Sequence, residues 1–223
     1  MDNSAQQRPS LIATTVADRL ALSMRENLSP LMRQYWDIKN EHQDKILFFR
    51  MGDFYELFFS DAERVAPLVG LTLTKRNKKS ADETPMCGLP HFAVAAPINK
   101  LLALGFKVAL CDQVEDPRKA KGLVKRAVTR ILTPGMVLDI DQVAATKSIF
   151  LAAFDHQGVV FFESTTGETF CYRIASDKEV PEILALHEVA ELVVAEPVSE
   201  DFKLQSGCGL VTVYSPPGQS LAE

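Results

Sequence analysis

Two side chains of opposite character, Phe54 and Glu56, stand two positions apart in the run LFFRMGDFYELFFSDA at residues 47–62. In an extended strand, residues i and i+2 share a face, so this ring and this carboxylate point the same way. The pair offers a flat apolar surface for stacking and, beside it, a hydrogen-bonding tip. An apolar side chain of this kind can enter between stacked bases and kink a duplex. The same alternation also fits a core hairpin, with Phe54 packed inside and Glu56 at a solvated edge, because aromatic strand residues are mostly buried. Both readings are open at this level. An acid–base set of Asp53, Glu56 and His91 is a third arrangement, but no nucleophile, metal-ligand spacing or cofactor loop accompanies it.

Cations form the second group. Lys75, Arg76, Lys78 and Lys79 fall within five residues, and Arg118, Lys119, Lys121, Lys125, Arg126 and Arg130 follow one another without an intervening acid. Solvated loops and charged edge strands account for such runs in the ordinary case. Together they can also bind phosphates, which gives affinity without sequence preference. Four phosphate contacts would give a log–log salt slope of about −3 to −4. The net charge of −5 hides an asymmetry: residues 1–139 carry 20 Lys+Arg against 16 Asp+Glu, and residues 140–223 carry 4 against 13. Only the first part suits a polyanionic partner.

The elements that must position these residues read as follows. Residues 47–51 form a buried strand, Gly52-Asp53 a tight turn, and 54–59 the return strand. The alternation puts Phe54, Glu56 and Phe58 on one face and Tyr55, Leu57 and Phe59 on the other. Ser60-Asp61-Ala62-Glu63 has the form of a capping box, so a helix is expected from there to about residue 69, ended by Gly70. Upstream, Ser29-Pro30 opens a helix to about residue 42. Downstream come a strand at 71–75, a Pro- and Gly-rich loop at 85–90, and a helix at 93–104, with Pro97 marking its start. Strands follow at 106–113 and 124–132. Residues 149–154, 159–164 and 168–174 form an antiparallel meander, followed by a helix at 181–188 and strands at 191–195 and 210–214.

Four motifs carry a resemblance: RMGDFYELF at residues 50–58, LTLTKR at 71–76, PMCGLPH at 85–91 and TRILTPG at 129–135. In their words, order and spacing they resemble the N-terminal part of the MutS family of DNA mismatch-repair proteins, from about Ser29 onward. The resemblance implies that Phe54 and Glu56 read the mispair. It also implies that Met51, Gly52, Asp53 and Tyr55 shape or flank the reader, and that Lys75, Arg76 and Arg126 contact the backbone, Arg76 foremost. One departure stands out. The family usually has Gly-x-Pro-Tyr-His-Ala, where this chain has Gly88-Leu89-Pro90-His91-Phe92-Ala93, so no site role is carried over to His91 or Phe92.

The expected fold class is α/β: a mixed-sheet mismatch-recognition domain followed by an RNase H-like connector. The expected domains are an N-terminal extension at 1–28, the recognition domain at 29–135, a linker at 136–147 and the connector at 148–223. RNase H-type catalysis needs several carboxylates converging on a metal. Glu163 sits on a strand, but Asp155, Glu191, Glu196 and Glu200 fall at turns or element ends, and the connector of the family is non-catalytic. The sequence contains no GxxxxGK[ST] motif. The chain is thus expected to be an N-terminal part of a longer protein, not an enzyme by itself, with no cofactor of its own. The ATP and magnesium of the family belong to a C-terminal domain.

Implied partners are mismatched double-stranded DNA, a second full-length copy in a homodimer, and a MutL-type protein through the connector. The alternative is a protein-interaction fragment without independent DNA binding. No apolar run approaches the ~20 residues of a membrane span. The four cysteines, without a CxxC pair, read as free buried thiols, and the resemblance implies a bacterial, cytoplasmic, nucleoid-associated protein.

Overall fold

A computed structural model describes residues 28–76, 83–116, 120, 122–136 and 149–214. All but the last residue of the expected N-terminal extension, Lys78 and Lys79, Arg118, Lys119 and Lys121, and nearly all of the expected linker lie outside the described residues. The chain divides into two compact units, Met1–Leu132 and Thr133–Glu223. The fold is mixed α/β, with one mixed sheet in each unit.

In the first unit, helix α1 (Pro30–Glu41) starts as its sequence dictates: Ser29 Oγ accepts from the amide of Met32 and proline occupies the first turn. Strands β1 (Ile46–Met51) and β2 (Phe54–Phe58) then form an antiparallel hairpin in which Met51 faces Phe54 and Phe49 faces Glu56. Helix α2 (Phe59–Val69) ends at Gly70, whose φ of 76° supplies the left-handed residue expected there. Strands β3 (Thr74–Arg76) and β4 (Thr84–Pro90), helix α3 (Ala95–Ala103), and strands β5 (Val108–Gln113) and β6 (Arg126–Leu132) complete the unit. The sheet order is β3-β4-β2-β1-β5-β6, with only β1 and β5 parallel. One face is packed by Met32, Tyr35 and Trp36 of α1 against Leu47, Phe49, Phe58, Ala109 and Cys111. Tyr35 meets Trp36, Phe49 and Phe58 edge to face, with centroids 5.6, 5.5 and 5.1 Å away.

Two local expectations are corrected. The capping box does not form: α2 begins at Phe59 with Phe58 as its uncapped N-terminal neighbour. Asp61 is instead fully buried, accepting from the Leu47 amide at 2.9 Å and from Lys39 Nζ at 2.8 Å. Tertiary demand for a carboxylate under β1 outweighs the local capping preference. The loop at 85–90 is strand β4, paired to β3 and β2 on its two sides. Its prolines stand next to its two ends, where few ladder donors are lost. Gly88 allows β4 to close on β2, since a Cβ there would meet Tyr55 O at 3.1 Å and Glu56 Cγ at 3.3 Å.

The second unit contains the antiparallel meander β7 (Phe150–Asp155), β8 (Gly158–Glu163) and β9 (Thr169–Arg173). Helix α4 (Val180–Ala185), strand β10 (Val189–Val194), helix α5 (Glu200–Ser206) and strand β11 (Leu210–Val213) follow. The sheet order is β11-β10-β7-β8-β9, with β10 parallel to both β7 and β11. Helix α5 is absent from the sequence reading, because Phe202 is its one aromatic anchor and the segment is short; Ser199 caps it by accepting from Phe202 N. Glu163, the last residue of β8, is buried and faces the turn that follows. Thr165 Oγ1 donates to both its oxygens at 2.7 Å, and the Thr166 hydroxyl and amide donate to Oε2 at 2.6 and 2.7 Å. Glu191 accepts from Thr212 Oγ1 at 2.7 Å. Both carboxylates thus serve the fold. Cys87, Cys111 and Cys208 are buried thiols outside any disulfide, as expected, whereas Cys171, on the edge strand β9, is exposed.

Two predictions follow from these buried charges. Lys39→Met removes the buried cation that faces Asp61 and is expected to destabilise the protein by about 3–5 kcal/mol in urea unfolding. Adding Asp61→Asn, which keeps an acceptor for Leu47 N, should recover part of that loss; a double variant no more stable than the single one would show that the loss does not come from the charge left on Asp61. The Thr165 and Thr166 donors hold the Glu163 carboxyl at about 2, below its usual 4.5. A lowered folded-state value stabilises above the unfolded one, so this contribution should fade as pH falls from about 4.5 through about 2. Glu163→Gln should flatten that part of the stability–pH curve, measured by thermal melting.

Candidate nucleic-acid interface

The hairpin loop of β1 and β2 is two residues long. Gly52 has φ of 58°, the left-handed value that a two-residue hairpin turn requires at its first position and that glycine adopts without penalty. Asp53 follows, and Phe54 is the first residue of β2. Phe54 is 46% exposed. The core-hairpin reading is therefore not what the fold adopts at this residue, although it holds for Tyr55, Leu57 and Phe58, all buried. Phe54 is flanked by Met51 on β1 and Pro90 on β4, so the ring stands out from the interior of the sheet and not from its edge.

Glu56 lies on the same face, half-buried, between Phe49 and Gly88. Its Oε2 is buried and has no hydrogen-bond partner. Arg76 Nη1 approaches it to 3.6 Å as an ion pair. Burial pushes the Glu56 carboxyl above its usual value, opposed by the cations of Arg76 and Arg126. The strand alternation thus places beside an exposed ring a carboxyl group with unused hydrogen-bonding capacity and a weakened hold on its negative charge.

The remaining predicted site residues divide. Met51 is half-buried, with its sulfur accepting from Arg126 Nη2 at 3.8 Å. Asp53 is exposed, and its carbonyl accepts from His91. Tyr55 points to the opposite face, where it is buried and donates to Asp112 Oδ1 at 2.5 Å. Burial and that bond push its hydroxyl up to about 12, so Tyr55 supports the sheet and is no surface contact.

Arg126 is corrected most sharply. It is only 8% exposed, and its guanidinium donates to Arg50 O at 2.6 Å, Gln34 Oε1 at 2.9 Å and Val124 O at 2.9 Å, and stacks over Phe49. The alternation in β6 turns it toward α1 and leaves it no donor face for phosphate. Arg76 is committed in part, paired with Glu56 and lying over the Phe58 ring. Lys75 is exposed and pairs with Glu83. Lys125 and Arg130 are the exposed cations of the described part of the second basic run.

The sequence reading carried no site role over to His91, which the fold places beside the turn. Its main-chain N–H donates to Asp53 O at 2.9 Å and its Nδ1 lies 3.1 Å from the same oxygen. The signal available was position alone: His91 follows Pro90, which is opposite Phe54. Its ring meets the Asp53 main-chain oxygen, and among the described residues it makes no contact with the Asp53 or Glu56 carboxyl, so the three are not assembled as an acid–base set. Its neighbour Phe92 is 81% exposed.

Comparison with known proteins bears on this geometry. The family model described as MutS domain I matches residues 29–141. The DNA mismatch repair protein MutS of Desulfatibacillum aliphaticivorans is 42% identical over 178 residues, 78% of this chain and 20% of that protein. The protein of the same name from Myxococcus xanthus is 44% identical over 76% of this chain and 19% of its own length. That of Bacillus velezensis is 40% identical over 83% and 22%. The chain therefore spans about a fifth of the length of the curated relatives it matches. The match to MutS domain I over half of the chain, with relatives 40–44% identical over three quarters of it or more, establishes that this chain belongs to the MutS family.

Proposed function

We propose that the first unit senses mispaired or unpaired bases in duplex DNA in the course of mismatch repair, with Phe54 entering the stack and Glu56 bonding to the disturbed base. The observation that carries this reading is the exposed Phe54 ring at the start of a central strand, on the same face as a half-buried carboxyl group one oxygen of which makes no hydrogen bond. Inserting a ring costs a few kcal/mol of unstacking, and that cost is smallest where pairing is already weak. Stacking on the loosened base returns about 1–3 kcal/mol. Discrimination arises from how easily a site deforms and not from a base code, so many mispairs can be sensed.

Glu56 suits the second role for an electrostatic reason. A carboxylate approaching the DNA backbone is repelled, but burial already favours the neutral form of this group. As an acid it donates a hydrogen bond to a base; as a carboxylate it accepts one. Arg76 is then read as a neutralising partner of Glu56 before it is a phosphate contact. Exposed Lys125 and Arg130, with Lys75, are the candidates for nonspecific backbone contact, and each such contact removed is expected to lower the salt slope by about 0.9. The second unit is read as the connector, which carries no DNA-reading role of its own. Pairing of two full-length copies and docking of a MutL-type partner extend the same family reading to the whole protein.

Two outcomes test this reading. In the full-length protein, Phe54→Ala should lose preference for a G·T-mismatched duplex over its matched counterpart while retaining salt-dependent binding to both. Intact discrimination in that variant would move the reader elsewhere. Because burial raises the folded-state value of Glu56, its neutral form is favoured by folding: that stabilisation is complete below about 4.5 and is lost as pH rises through the raised value. Glu56→Gln should therefore be no less stable than the native protein at neutral pH, by urea unfolding. Its mismatch binding should not change with pH through this group, whereas that of the native protein should strengthen as pH falls and the carboxyl takes up its proton. Equal pH dependence in the two proteins would remove protonation of Glu56 from the mechanism.

A further inference from the structure

Both carbonyl groups of the two-residue turn are engaged by side chains. Arg50 Nε donates to Gly52 O, and His91 meets Asp53 O through its main-chain N–H at 2.9 Å and through Nδ1 at 3.1 Å. A carbonyl oxygen only accepts, so Nδ1 carries the hydrogen and the neutral ring keeps Nε2 as an acceptor. The main-chain bond from His91 to Asp53 is the ladder bond that flanks the non-hydrogen-bonded pair of Phe54 and Pro90. Pro90 therefore withholds no donor from Phe54, and the Nδ1 contact is a second hold on the Asp53 carbonyl, added at the end of that ladder. Phe54 itself is held by short backbone registers to Met51 and Pro90, but the turn that sets how its ring leaves the sheet is fixed from the β4 side by this histidine.

We propose that His91 is a positioning residue for Phe54, its Nδ1–H holding the Gly52-Asp53 turn so that the ring is presented at the angle that distinguishes mispaired from paired DNA. The proposal rests on the reading of Phe54 as the stacking residue. It concerns this chain in particular, because a tyrosine at residue 91, the usual order of the family motif, has only carbon at the ring atom that here donates.

The test uses the full-length protein and the ratio of affinities for a G·T-mismatched and a matched duplex, in native, His91→Leu, His91→Asn and Phe54→Ala forms. His91→Leu removes one neutral side-chain hydrogen bond and should lower the ratio about three- to tenfold, with matched-duplex affinity and melting temperature little changed. In His91→Asn the amide nitrogen reaches the place of Nδ1, so the ratio should stay within about twofold of native, less than the loss of one such bond. Nitrogen chemical shifts of the native imidazole should report the Nδ1–H tautomer. A native ratio in His91→Leu, an equal loss in His91→Asn and His91→Leu, or an Nε2–H tautomer overturns the proposal while leaving Phe54 as the reader if Phe54→Ala has lost discrimination. Retained discrimination in Phe54→Ala defeats the underlying reading, and the positioning role falls with it.

Discussion

A two-residue loop leaves β1 and β2 no freedom of register. Met51 must face Phe54, and every following pair is then set. Because side chains alternate with a period of two, a slip by one residue would send Tyr55 and Leu57 outward and bury Phe54 and Glu56. The helix α1 aromatic cluster enforces the same choice from above, since Phe49 and Phe58 fill its underside. β4 enforces it from the side, where Gly88 gives Glu56 the room that a larger residue would take. The exposed ring is therefore a consequence of packing at the other end of its own strand.

Three acidic groups show how surroundings, not residue type, decide what a carboxylate does here. Asp61 is fully buried and is balanced by Lys39 and a main-chain amide. Glu163 is buried but surrounded by hydroxyl and amide donors, which hold it low. Glu56 is buried in part, with an ion pair but no hydrogen bond to one oxygen, and desolvation prevails. The first two are satisfied inside the fold and have nothing left to offer a ligand. The third keeps hydrogen-bonding capacity in reserve at the place where an exposed ring stands. Arg126 makes the converse point for cations: a residue in a basic run becomes a structural donor once alternation turns it inward.

Local chemistry made much of the architecture legible. Ser29-Pro30 and Gly70 mark helix ends because capping and left-handed geometry depend on the residues themselves. Gly52-Asp53 marks the hairpin, and the meander of the second unit follows from alternating apolar residues. The capping pattern at Ser60 failed because Asp61 was required below β1, and the stretch at 85–90 read as a loop because its prolines and glycine are strand-breaking in isolation. Inside the sheet, that glycine is what lets β4 approach β2.

For the site, the sequence determined which residues share a face, which motifs are shared with the MutS family, and that an aromatic ring and a carboxylate are adjacent on one side of a strand. These depend only on residue order and on the strand period. Tertiary structure decided which end of that face is open. It left Phe54 exposed while burying Tyr55, turned Arg126 from a surface cation into a buried donor, raised the protonation tendency of Glu56 by burial, and brought His91 onto the carbonyl of Asp53. Each of these depends on contacts between segments distant in the chain, and solvent exposure and electrostatic environment are set only when those segments pack.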